Sequence, residues 1–165
     1  AMKRLLALAV VSFVALTQPL RAAADFSKFE GTYQGNYSLV GSGMSYPGKL
    51  TAVVTPSKNG KAATVVLFGS VTQGGVTIAS YGKFTLKSNR KVSSNSVLLG
   101  YIALFPASAK YAGQKDTFKF TLSAASVGAS VNYTLKFTGK KLVLKGSGTI
   151  AGSPLTISLN AKKKK

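Results

Sequence analysis

Lysine, serine and tyrosine are the chemically capable side chains this sequence offers in numbers, while histidine and cysteine are absent. That removes imidazole bases, thiolate nucleophiles and the usual zinc and copper ligands. Paired-carboxylate catalysis needs two acids brought together, and the acids are Asp25, Glu30 and Asp116 alone. Asp25 heads the expected folded region, Glu30 lies just ahead of the first expected strand, and Asp116 lies in an expected loop. A Ser–Lys dyad is the one scheme the composition permits. Ser88-Asn89-Arg90-Lys91 matches S-x-x-K, but the serine enzymes that use this motif open a helix with it and add S-D-N and K-T-G elements. Here it falls in an expected hairpin turn, and neither companion is present. The expectation is a protein that is not an enzyme and that needs no metal or cofactor.

Gly146-Ser147-Gly148 and Gly152, after Leu142-Val143-Leu144, look like a dinucleotide-binding glycine loop. That loop must lead into a helix whose N-terminus holds the pyrophosphate. The chain continues instead with Pro154 and an alternating segment, so these glycines read as bulge or close-packing positions in a strand. Asn36-Tyr37-Ser38 and Asn132-Tyr133-Thr134 match the glycosylation sequon but fall inside expected strands.

Charge is the strongest compositional signal, with 22 Lys and Arg against 3 Asp and Glu. Met2-Lys3-Arg4, the apolar run from Leu5 to Leu16 broken only by Ser12, and the exit Ala22-Ala23-Ala24 have the layout of a cleavable secretory signal. The run is shorter than the ~20 residues a spanning helix needs. Residues 1–24 are therefore expected to be removed before Asp25, which places the protein in the periplasm or outside the cell. Without Lys3, Arg4 and Arg21 the remainder carries 19 basic groups against the same 3 acids, +16 net. It contains no transmembrane helix candidate, and its only arginine is Arg90. Lysine is a hydrated point charge that lacks the planar, bidentate fork of arginine. Such a surface predicts diffuse, salt-sensitive attraction to a polyanion. Sequence-specific nucleic-acid reading is not expected.

The candidate anion-binding residues are Lys83, Lys87, Arg90, Lys91, Lys119, Lys136, Lys140, Lys141 and Lys145. Lys162–Lys165 read as a disordered basic tail behind a single domain spanning 25–161. Most aromatic residues share the apolar face of an expected strand, where packing is their default role. Tyr46, Tyr81 and Tyr111 fall off that face or in loops and are the candidate ligand contacts.

Positioning these groups falls to strands. Apolar residues alternate with period two almost throughout. Tyr33, Gly35, Tyr37 and Leu39 share one face. Phe118, Phe120 and Leu122 alternate with Thr117, Lys119 and Thr121, and Val131, Tyr133, Leu135 and Phe137 alternate with Ser130, Asn132, Thr134 and Lys136. Asn59-Gly60, Gly74-Gly75, Gly139-Lys140, Ser88–Lys91 and Ala151–Pro154 read as turns. Gly41–Gly48 and Ala107–Asp116 read as longer loops. The expectation is an all-β fold of eight to ten antiparallel strands forming a closed or nearly closed barrel, with a β-sandwich as the alternative.

Alternation also fits an outer-membrane barrel, which would turn its apolar face to lipid and its lysines into the lumen. Crowded there with few carboxylates, the lysines would each cost several kcal/mol. A water-facing outer wall is therefore favoured.

Phe29-Glu30-Gly31-Thr32-Tyr33 resembles the opening of lipocalin-like calycin barrels, whose first strand carries an F-x-G-x-W-type pattern. The resemblance covers residues 26–39, with Tyr33 standing where the tryptophan is usual. The N-terminal 3₁₀ turn, the later arginine and the C-terminal helix of that family have no clear counterpart in the sequence. What the resemblance implies is an up-and-down barrel whose apolar interior can carry a small hydrophobic ligand. The leading functional expectation is an exported binding protein whose basic face contacts anionic envelope material: lipopolysaccharide, phospholipid or acidic glycan.

Overall fold

A computed structural model describes residues 25–73, 75–88, 91–99, 102–104, 109–110, 116–125 and 128–165. The expected signal segment, Arg90 and Tyr111 lie outside the described residues. Within them, eleven strands run antiparallel: β1 (Gly31–Gly41), β2 (Met44–Pro56), β3 (Ala62–Gln73), β4 (Val76–Lys87), β5 (Lys91–Leu99), β6 (Ile102–Leu104), β7 (Ala109–Lys110), β8 (Thr117–Ala124), β9 (Ala129–Thr138), β10 (Lys141–Ile150) and β11 (Ser153–Lys163). They form one sheet in the order β6-β5-β4-β3-β2-β1-β11-β10-β9-β8, with β7 also on β5. A single sheet removes the sandwich alternative.

The sheet curls strongly. Seven strand-to-strand steps separate β4 from β8, which at about 4.8 Å per step is roughly 34 Å across a flat sheet. Yet the rings of Phe84 on β4 and Phe120 on β8 lie 5.3 Å apart. The pairing of β1 with β11 joins one seam, and at the other β6 and β7 come against β8. The expected all-β, barrel-like arrangement is the one observed, with β7 off the main path on β5.

Period-two alternation sets what faces inward. Tyr33, Tyr37, Leu50, Phe84, Leu86, Phe118, Phe120, Leu122, Val131, Tyr133, Leu135, Phe137, Leu155, Ile157 and Leu159 are all buried in one core. Each large apolar side chain so buried contributes about 1.5–3 kcal/mol. Glycines mark the tight bends. A Cβ on Gly35 would strike the carbonyl oxygen of Asn160, and one on Gly69 that of Lys49. These two glycines flank Leu50 in register on β2, where close backbone approach forbids a side chain.

One end of the barrel is plugged. Phe26 and Phe29 flank a 3₁₀ turn, Ser27–Phe29, which the sequence did not lead us to expect. Its 3.0-residue period sets side chains at i and i+3 on one side, so both rings enter the core. Phe29 stacks on Phe137 at 4.2 Å and Phe26 on Phe118 at 5.6 Å. Asp25 Oδ1 accepts the Ser27 N–H at 3.0 Å, a local bond that turns the chain. Tyr33 donates its hydroxyl to the Phe29 carbonyl at 2.9 Å, tying plug to wall.

Two further expectations are corrected. Gly41–Gly48 is not a loop: Ser42-Gly43 makes a two-residue turn with φ of 49° and 76°, and pairing resumes at Gly41–Met44. Positive φ at both central residues is the hairpin turn that matches strand twist, so Gly48 and Pro47 lie within β2. Lys162–Lys165 is not wholly a free tail, because β11 continues to Lys163 and the Lys164 N–H bonds the Thr32 carbonyl at 2.8 Å.

Candidate functional site

The outward face of the curled sheet carries the candidate cations. Lys119, Lys136, Lys140, Lys141 and Lys145 are exposed on β8, β9, the β9–β10 turn and β10. Lys119 and Lys145 are both in register with Thr134 on the strand between them, which separates them by about 10 Å. Lys136 lies two residues further along the same face of β9. Their spacing is close to the ~8 Å over which charges screen at physiological ionic strength, so the three form a diffuse basic patch rather than a tight anion site. On β4, Lys83 is half-buried and Lys87 exposed. Lys91 starts β5.

Lys141 stands directly opposite Lys162 across the β10–β11 ladder. Like charges in such a pair oppose the pairing, and neither makes an ion pair among the described residues. The ion pair found within those residues, Lys28 Nζ to Asp116 Oδ1 at 2.7 Å, sits at the plugged end. There Lys28 also lies 4.7 Å from the Phe29 ring centroid. Asp25 holds the 3₁₀ turn, Asp116 holds Lys28 and Glu30 is exposed, and no cluster of three acids forms among the described residues.

Charge is segregated along the barrel axis. After residue 24, the runs 31–48, 62–82, 92–109, 120–135 and 146–161 carry no charge at all. In an up-and-down meander alternate turns fall at the same end. The uncharged runs contain the β1–β2, β3–β4, β8–β9 and β10–β11 turns. The plugged end instead gathers Lys28, Lys58, Lys61, Lys87, Lys140, Lys141 and the end of β11 with Lys162–Lys165. Strand alternation draws attention to faces and hides this second pattern, although charge spacing along the chain contains it.

The three candidate tyrosines divide. Tyr81 is 40% exposed on the outer face of β4, as expected. Tyr46 is a correction: it lies on the inward face of β2, opposite Leu39, half-buried against the core. The expected loop had hidden its strand parity. Its hydroxyl reaches Met44 Sδ at 3.6 Å. Tyr111 lies outside the described residues.

Sequence patterning missed Phe68. It is 46% exposed and directly opposite Tyr81 on the outer face. The uninterrupted run Val65-Val66-Leu67-Phe68 concealed which of its residues faces out. Next to this pair opens a shallow groove of about 630 Å³ across β11, β1, β2 and β3, whose outward lining includes Asn36, Ser38, Lys49, Ser70, Ser158 and Asn160.

Inside the barrel, Tyr37 and Tyr133 bury hydroxyls that have no hydrogen-bond partner among the described residues. Burial pushes both phenols well above the ordinary tyrosine range, and for Tyr133 the nearby Tyr37 adds to the shift. Gly146, one of the glycines of the dinucleotide look-alike, lies under the Tyr133 ring with room for no more than hydrogen. It is a packing position, and the strands β10 and β11 take the place of the helix that motif requires. A scan against protein-family models finds no match, and a search of curated proteins finds no significant relative.

Proposed function

We propose that this is an exported, non-catalytic binding protein that holds anionic envelope material against the lysine-rich end and wall of its barrel. The carrying observation is that most of its described lysines are exposed, crowd one end, and include the directly opposed pair Lys141 and Lys162. A protein needing lysine only for solubility gains nothing from setting two ammoniums face to face, where they oppose the ladder. A phosphate or carboxylate placed between them turns that repulsion into a bridge.

The outer wall argues against a lipid-embedded barrel. Lys119, Lys136 and Lys145 occupy it, and each lysine at a bilayer midplane costs about 2–4 kcal/mol. The stacked aromatic plug occupies one end of the interior, which argues against a hydrophobic cargo there.

Co-sedimentation of the folded protein with phosphatidylglycerol vesicles and with phosphatidylcholine vesicles, at rising salt, tests the proposal. Binding to the anionic vesicles alone, weakening steeply with salt, is expected. Indifference to lipid charge at low salt would overturn it.

A further inference from the structure

The geometry points to a second, more selective element: the groove across β11, β1, β2 and β3, with the Phe68–Tyr81 pair beside it, binds an acidic pyranose chain of the uronate type. This names a ligand class within the anionic material proposed above and in that respect rests on that reading.

The side chains fit such a chain part by part. Sugar hydroxyls need paired donors and acceptors in a neutral setting. Asn36 and Asn160 stand directly opposite each other across β1 and β11, and Ser38 faces Ser158 one pair further along. Among the described residues these four make no side-chain hydrogen bond, whereas polar groups elsewhere on the outer wall do pair, as Thr121 with Asn132 at 2.7 Å. They are therefore open to an external partner. Amide side chains supply two donors and two acceptor lone pairs each, and hydroxyls supply one donor and two.

A pyranose also has an apolar C–H face, which seats on an aromatic ring. Phe68 and Tyr81 supply two adjacent, half-exposed rings. Ser70 follows Phe68 on the same face of β3, two residues along, and so joins the rings to the groove. Lys49 lies in register between Asn36 and Ser70. It is the single ammonium among the lining residues, and one isolated cation matches a lone carboxylate rather than a densely charged polyphosphate. The groove lies largely in the uncharged runs 31–48, 62–82 and 146–161. It thus reads the sugar in a setting separate from the lysine-crowded end.

Isothermal titration with oligogalacturonate, with a neutral malto-oligosaccharide of equal length and with inorganic polyphosphate tests the assignment. Oligogalacturonate is expected to bind more tightly than the neutral chain. The outward double variant Phe68→Ser, Tyr81→Ser should lose about tenfold in oligogalacturonate affinity, with polyphosphate affinity and thermal midpoint unchanged. Lys49→Gln should lower oligogalacturonate binding towards that of the neutral chain. Equal loss for both polyanions, or unchanged oligogalacturonate binding in both variants, would overturn the groove while leaving the lysine-rich end as proposed. Failure of the native protein to bind any polyanion at low salt would overturn both.

Discussion

Tyr37 and Tyr133 both turn buried hydroxyls into the barrel, where a charge on one would oppose ionising the other, and neither hydroxyl finds a hydrogen-bond partner among the described residues. The rings themselves are well used: Tyr133 stacks on Phe120 at 5.5 Å with an interplanar angle of 18°. The hydroxyls therefore carry a desolvation penalty that the rings do not. Removing an unsatisfied buried hydroxyl while keeping the ring relieves that penalty, which is about 1–3 kcal/mol. Tyr133→Phe and Tyr37→Phe should each raise stability by about 1 kcal/mol in urea unfolding. A loss of stability in both would show that the hydroxyls are satisfied in solution.

The same burial sets an alkaline limit. Tyr33, Tyr37 and Tyr133 are all pushed above the ordinary value of 10.0 by desolvation. The folded state thus keeps protons that the unfolded chain releases sooner. By linkage their contribution is complete below about pH 10 and is lost as the pH climbs beyond it. Tyrosinate absorbance from these three residues should appear together with loss of the β-sheet circular dichroism signal. Their ionisation while the sheet signal stays intact would contradict the burial described.

Barrel curvature depends on contacts across the interior. Phe84 touches Phe120 and Tyr133 from a strand distant in the sheet order. Phe84→Ala deletes this crossing contact and leaves a cavity, costing about 3–5 kcal/mol. Val53→Ala, on the outer face of β2, should cost well under half as much. Equal losses at the two sites would mean that the crossing contact carries no special weight.

How far the chain could be read in advance depended on parity. Tyr33, Tyr37, Phe118, Phe120 and Tyr133 alternate cleanly with polar neighbours, so their inward orientation was legible. Tyr46 was misplaced because Gly41, Gly43, Pro47 and Gly48 suggested a loop, when a two-residue turn and a glycine-lined strand use those residues. Phe68 was hidden because Val65 to Phe68 is continuously apolar, and such a run has no visible parity. The 3₁₀ plug was missed because a turn of three residues is too short to show a period. The groove depends on register between strands distant in sequence, β11 on β1 and β2 on β3, which no local pattern encodes.

Lys141 and Lys162 allow stability and binding to be separated. The two face each other across β10–β11, and Gln34 on β1 is the other neighbour of Lys162. Lys141→Glu converts a repulsive cross-strand pair into an attractive one, a change of about 0.2–1 kcal/mol in favour of the fold. Exposure keeps the gain at the low end of that range. The same change subtracts two units of charge from the end proposed to hold anionic material, so affinity for phosphatidylglycerol vesicles should fall and its salt dependence flatten. A site under selection only for stability would improve in the first measurement and not change in the second. The double variant Lys141→Glu, Lys162→Glu restores like-charge repulsion with the opposite sign. It should return stability to near the native value while weakening vesicle binding further. The opposite movement of the two readouts in Lys141→Glu is the signature expected of lysines kept for a ligand at the expense of the ladder. Vesicle binding unchanged in both variants would assign the pair to folding alone.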